Sequence, residues 1–115
     1  MPSQHSVVEI TDAKKFEFIL EHYGDKLIVV DFTASWCGPC QKIKPFFHEC
    51  SNLYKKTSLC LSVDVDKFPE LTSKYKIEAM PTFLCFKNQQ LIKTIVGIDI
   101  QEVKSIFLKY SLKTN

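Results

Sequence analysis

The chain has 115 residues, enough for one ordinary domain with a real core. Its 45% hydrophobic content and nine Phe describe a packed globule and exclude a disordered chain. The net charge is only +2 and lysines are scattered among acids, so neither nucleic acid nor an anionic membrane is expected as a partner.

The opening residues, Met1 to Ser6, lack a cationic start followed by an apolar core, so no signal peptide is expected, and no run approaches membrane-spanning length. Five unevenly spaced cysteines suit a reducing cytosol better than a secreted disulfide framework, so the cytoplasm is the expected compartment. No repeat, low-complexity tract or linker breaks the chain. Residues 1–115 read as a single domain, ordered from about Val7 to Leu112.

In chain order, Val7-Val8-Glu9-Ile10 is a short strand. Thr11 or Asp12 caps a helix whose inward stripe is Phe16, Ile19, Leu20 and Tyr23, with Gly24 at its end. Leu27 to Phe32 is apolar apart from Asp31, as expected of a central strand covered on both faces. An ionised carboxylate is costly to bury there, so Asp31 should have a raised pKa, as a satisfied polar residue or as a proton acceptor.

Trp36-Cys37-Gly38-Pro39-Cys40 then opens a long helix, to about Tyr54, that buries Cys40, Ile43, Phe47, Cys50 and Tyr54 and should kink at Pro45. Two cysteines three apart at a helix start can close a small reversible disulfide. The partial positive charge and unpaired N–H groups there favour a thiolate, the form that attacks disulfides. Cys37, on the solvent side, is expected to be the nucleophile; Cys40, one turn in, is the resolving thiol. Gly38 and Pro39 stiffen the turn between them. The alternative, half of a zinc site, lacks a second pair: Cys50, Cys60 and Cys85 are dispersed, as are His5, His22 and His48. No metal is therefore expected. Trp36 is either a core residue or a lip shielding the dithiol.

Leu59 to Val63 is a third strand, and Phe68 to Tyr75 a short helix with Pro69 in its first turn. Thr82 to Phe86 and Leu91 to Val96 form a hairpin around Lys87-Asn88-Gln89-Gln90, where Gln89 stands at a common glycine position and Asn88 better suits positive φ. Asp99 and Glu102 have capping-box spacing for a last helix burying Val103, Ile106, Phe107 and Tyr110. Cys50, Cys60 and Cys85 fall on inward stripes and read as inert core filling; His48 reads as solvated. The order β-α-β-α-β-α-β-β-α gives an α/β fold: a central mixed sheet of parallel β-α-β units plus an antiparallel hairpin, with helices on both faces.

The segment from Val30 to Cys40, then Pro45-Phe46-Phe47, Val63-Asp64-Val65-Asp66, Met80-Pro81-Thr82-Phe83 and Val96-Gly97 together resemble the thioredoxin family, in its order and spacing over nearly the whole chain. Thr33 and Pro45 to His48 resemble its eukaryotic cytosolic branch. The resemblance implies a thioredoxin fold and a protein-disulfide reductase acting through a Cys37–Cys40 disulfide, with no bound cofactor. Its partners would be oxidised protein substrates and thioredoxin reductase, which recharges it with NADPH, and it would be a monomer. It implies that Asp31 accepts the Cys40 proton and that the Met80–Pro81 bond is cis. The Met80 backbone would then pair with an extended substrate. Ile77, Ala79, Gly97 and Ile98 complete an apolar rim beside Trp36. A lysine common beside the buried aspartate in bacterial members has no counterpart near Cys60 and Ser62. Pro39 in place of His argues against a secretory isomerase, and retention of both cysteines argues against a scaffold without turnover.

Overall fold

The structure, a computed structural model, describes residues 6–111. The expectations for Met1 to His5 and for Leu112 lie outside that range. Five strands, β1 (Val8–Glu9), β2 (Leu27–Thr33), β3 (Ser58–Asp64), β4 (Thr82–Lys87) and β5 (Gln90–Val96), form one sheet in the order β1-β3-β2-β4-β5. β1 and β2 each pair parallel with β3, while β4 pairs antiparallel with both β2 and β5. Helices α1 (Ala13–His22), α2 (Gly38–Leu53), α3 (Pro69–Lys74) and α4 (Ile100–Tyr110) alternate with the strands as the sequence pattern requires.

β2 is central and buried along its entire length. Its alternation sorts the core. Ile28, Val30 and Phe32 join Phe16, Ile19 and Leu20 of α1 and Leu71 of α3 in one layer. Leu27 and Val29 join Ile43, Phe47 and Cys50 of α2 and Val103, Ile106 and Phe107 of α4 in the other. Asp31 and Thr33 share the parity of Leu27 and Val29, so the two polar residues of β2 lie on the α2 face. The first turn of α2 reaches over the end of the sheet, for Cys37 and Cys40 belong to the α1 layer while later α2 residues belong to the second.

Asp12 is the α1 cap, its carboxylate accepting from the Lys14 amide at 2.8 Å. Tyr23 departs from expectation. The helix ends at His22, so Tyr23 is the C-cap residue and points outward, 43% exposed. Tyr54 and Tyr110 are half-buried, and Tyr54 stacks on Phe107 at 5.1 Å between centroids. α2 continues through Pro45, which leaves the Gln41 carbonyl without an intrahelical donor. Asp99 accepts from the Glu102 amide at 3.1 Å, but the Glu102 carboxylate turns to Lys93 at 2.7 Å instead of closing the box. The hairpin turns on Asn88 (φ 53°) and Gln89 (φ 66°), both left-handed, with an irregularity at Cys85/Phe86. The Asn88 amide donates to the Gly24 carbonyl at 2.8 Å, tying the turn to the α1–β2 loop.

Candidate active site

The site forms where β2 stops. The Ala34 carbonyl accepts both the Cys37 amide at 3.2 Å and the Gln41 side-chain amide at 3.0 Å, which sets the angle at which the chain enters α2. Cys37 is the α2 N-cap residue, with extended dihedrals, and its sulfur accepts from the Cys40 amide at 3.2 Å. Among uncharged side chains, an N-cap sulfur gains most from becoming an anion, because helix-end N–H groups and the macrodipole face it. No acidic residue occupies the first turn of α2 to oppose that charge.

Cys37 and Cys40 are joined in a disulfide with Cα atoms 5.3 Å apart. Cys37 retains 6% exposure and Cys40 none, so attack from outside can reach only the first sulfur. Cys37 Sγ lies 3.8 Å from the Met80 carbonyl oxygen, and the Met80–Pro81 peptide is cis. The Pro81 carbonyl accepts the Gly97 amide at 2.8 Å, and Gly97 has φ +92°. Direct contacts thus connect Cys37, Met80, Pro81 and Gly97. Trp36 is not a core residue: it is 66% exposed, and its indole N–H donates to the Asp66 carboxylate at 2.8 Å. Ile98 is 51% exposed and Ala79 exposed, while Ile77 and Met80 are half-buried against the core layer that holds both cysteines. Gly38 and Pro39 are exposed, and a Cβ on Gly38 would meet open space.

Asp31 is 1% exposed, and burial pushes its carboxyl up to about 7, against a smaller opposing pull from Lys44. Its Oδ1 and the neighbouring Thr33 Oγ1 are buried with no hydrogen-bond partner among the described residues. Lys44 is the site residue that the sequence reading missed. The β3 positions near Cys60 and Ser62 carry no lysine, whereas this one comes from α2, seven residues after Cys37, on the helix that faces Asp31. His48 is also displaced from expectation. One turn beyond Lys44, it is half-buried and lines a cleft with Lys44 and Thr33, not a solvated face.

The other cysteines are placed as expected, buried and free. Desolvation, with Glu49 adding to it, pushes the Cys50 thiol up to about 11, and desolvation raises Cys85 to about 12. Desolvation, with smaller contributions from neighbouring Cys50 and Cys85, also raises Cys60. Among the described residues no three His, Cys, Asp or Glu side chains are gathered to hold a metal ion, and no helix is long and apolar enough to cross a membrane.

A Thioredoxin family model matches residues 6–109. "Thioredoxin 1" of Plasmodium falciparum is 39% identical over 102 residues, which covers 89% of this chain and 95% of that protein. Human thioredoxin is 40% identical over 99 residues, covering 86% and 93%. The crystal structure of a thioredoxin from Nicotiana alata superposes with a TM-score of 0.87 at 28% identity, covering 96% of this chain and 97% of that one. A dithiol closed into a disulfide at a helix start, in a chain matched over most of its length, places this protein in the thioredoxin family, as a thiol–disulfide oxidoreductase that reduces protein disulfides.

Proposed function

We propose that reduction proceeds by attack of the Cys37 thiolate on a substrate disulfide, followed by resolution by Cys40 with Asp31 as proton acceptor. The observation that carries this order is the asymmetry of the pair. Cys37 holds the cap position with surface exposed, and Cys40 is fully buried beneath it. A carboxyl with its midpoint near neutrality suits transient acceptance of the Cys40 proton, since a base works best when its pKa lies near the operating pH.

Trp36, Ile77, Ala79, Met80, Pro81, Gly97 and Ile98 form the substrate surface, with the Met80 backbone as the docking edge for an extended segment. The contacts Cys37–Met80 and Pro81–Gly97 support that grouping, and the exposure of Trp36 and Ile98 supports an apolar rim. Gly38 and Pro39 hold the turn. The oxidised protein is recharged by thioredoxin reductase at the expense of NADPH. It acts in the cytoplasm as a single-domain monomer, using its own disulfide and no bound cofactor.

The test is NADPH-driven insulin reduction with thioredoxin reductase, comparing wild type, Cys37→Ser and Cys40→Ser. Wild type should turn over, Cys37→Ser should be inert, and Cys40→Ser should accumulate a mixed disulfide with substrate. Equal rates for wild type and Cys37→Ser overturn the assignment, as does trapping through residue 40.

A further inference from the structure

α1 buries Phe16, Ile19 and Leu20, yet Phe18 within it is 49% exposed and Tyr23 at its C-cap is exposed as well. With Ile19, Val8 of β1 and Leu59 of β3, these two aromatics wall a hollow of about 280 Å³ between α1 and the β1–β3 edge of the sheet. Single exposed apolar residues are ordinary, but a contiguous set around a depression marks a contact surface. Phe18 is also held in place. Its ring stacks on His22 at 3.9 Å and 19°, and the His22 ring N–H donates to the Phe18 carbonyl at 2.9 Å. An aromatic side chain already fixed in one pose loses little freedom when it is covered.

The other two residues lining the hollow are Lys15 and Lys26. Neither forms an ion pair among the described residues, whereas Lys74 and Lys93 are paired with Glu17 and Glu102. No Asp or Glu lines the hollow. Its walls are therefore apolar and its only charges are positive, which suits an apolar side chain flanked by carboxylates. A second copy of this chain fits poorly, because a two-fold contact would set a patch without acids against itself. The volume lies below the ~300–1,000 Å³ of small-molecule sites and suits one or two side chains of a longer segment.

The hollow is also remote from the dithiol. Leu59 pairs with Ile28 near the start of β2, while Cys37 follows the end of β2 at Thr33. At about 3.3 Å per residue, the two sites are displaced by about 16 Å along the sheet. None of Trp36, Met80, Pro81 and Gly97 lines the hollow.

We propose that this hollow docks an acidic segment of a partner protein, seating a large apolar side chain against Phe18 and Tyr23 with its flanking carboxylates on Lys15 and Lys26. The docked partner leaves the dithiol open, so the protein goes on reducing disulfides while it is held in place.

The experiment pans a displayed library of random dodecapeptides on the full chain in its oxidised form. Recovered peptides, labelled with fluorescein, are titrated by anisotropy against wild type, Phe18→Ser and the double variant Lys15→Glu, Lys26→Glu, with thermal melts to establish folding. The peptides should carry Phe, Leu or Trp beside two or more Asp or Glu. They should bind each variant at least about tenfold more weakly, as expected when an anchor contact is lost. Added salt should weaken binding to wild type. Insulin reduction should be unchanged in both variants and with peptide bound. Recovery of no acidic peptides, or equal binding to wild type and both variants, overturns the proposal. So does binding that is lost in Trp36→Ala and kept in Phe18→Ser, which assigns the peptides to the dithiol groove. A wild-type dimer in sedimentation that Phe18→Ser dissociates gives the patch to a second copy instead. Binding to vesicles of phosphatidylserine and phosphatidylcholine that the double variant loses, with no peptide recovered, gives it to a membrane.

Discussion

Two groups of cysteines occupy this molecule, and the same side chain behaves oppositely in each. Cys37 and Cys40 sit at the start of α2, where helix-end N–H groups favour a thiolate and one sulfur reaches the surface. Cys50, Cys60 and Cys85 lie within one turn of helix or two strands of apolar neighbours, and each thiol is pushed upward by burial. Reactivity here follows from position on secondary structure, not from the presence of sulfur. The same apolar layer that silences three thiols also raises the one carboxyl on that face of β2. Burial moves the three thiols further from neutrality and brings the Asp31 carboxyl toward it.

The comparison breaks most sharply at Cys37. Replacing it by Ser should lower insulin reduction by at least about a thousandfold, since the nucleophile and the covalent intermediate are both lost. Residual activity near wild type would place the reactive thiol in the buried group instead.

Asp31→Asn comes next in size. The folded-state carboxyl titrates near 7 and the unfolded one near 3.8. Between those values the unfolded chain gives up its proton while the native one keeps it. Stability therefore falls as pH rises from about 4 to about 7, then levels off. The difference corresponds to on the order of 4 kcal/mol above pH 7. Urea melts of Asp31→Asn should lose this slope and show a gain of that order at pH 8, with slower turnover. A retained slope would assign the titration to another group.

Cys60→Ser should cost about 1–3 kcal/mol, because it buries a hydroxyl in an apolar site, and should leave reductase activity intact wherever the protein is folded. Lost activity in the folded variant would draw Cys60 into the chemistry and erase the contrast. The smallest effect is expected at Gly97, whose φ of +92° disfavours a side chain although a Cβ meets nothing within 4 Å. Gly97→Ala should destabilise by about 1 kcal/mol through backbone strain alone, read from the melt midpoint.

Much of this was legible from residue patterns. The apolar run of β2 with one acid in it, the C-x-x-C at a helix start and the inward cysteines are local signals, and local signals survive folding. Tyr23 was not legible, because apolar spacing continues past the residue where the helix stops. Lys44 and His48 were missed for a different reason. Their meaning depends on which face of α2 packs over the β2–β3 edge, a tertiary fact that helical spacing alone does not supply. The hairpin fell between these cases. Asn88 suits a left-handed turn, but Gln89 adopts one as well, in a turn tied down by the hydrogen bond that the Asn88 amide donates to the Gly24 carbonyl of a distant loop.

The chain contains one tryptophan, adjacent in sequence to Cys37 and held by its bond to Asp66. Disulfides quench excited indole at short range, so opening of the Cys37–Cys40 bridge should brighten the protein's ultraviolet emission. The molecule thereby carries its own optical gauge, and no dye or label is needed to follow its electrons.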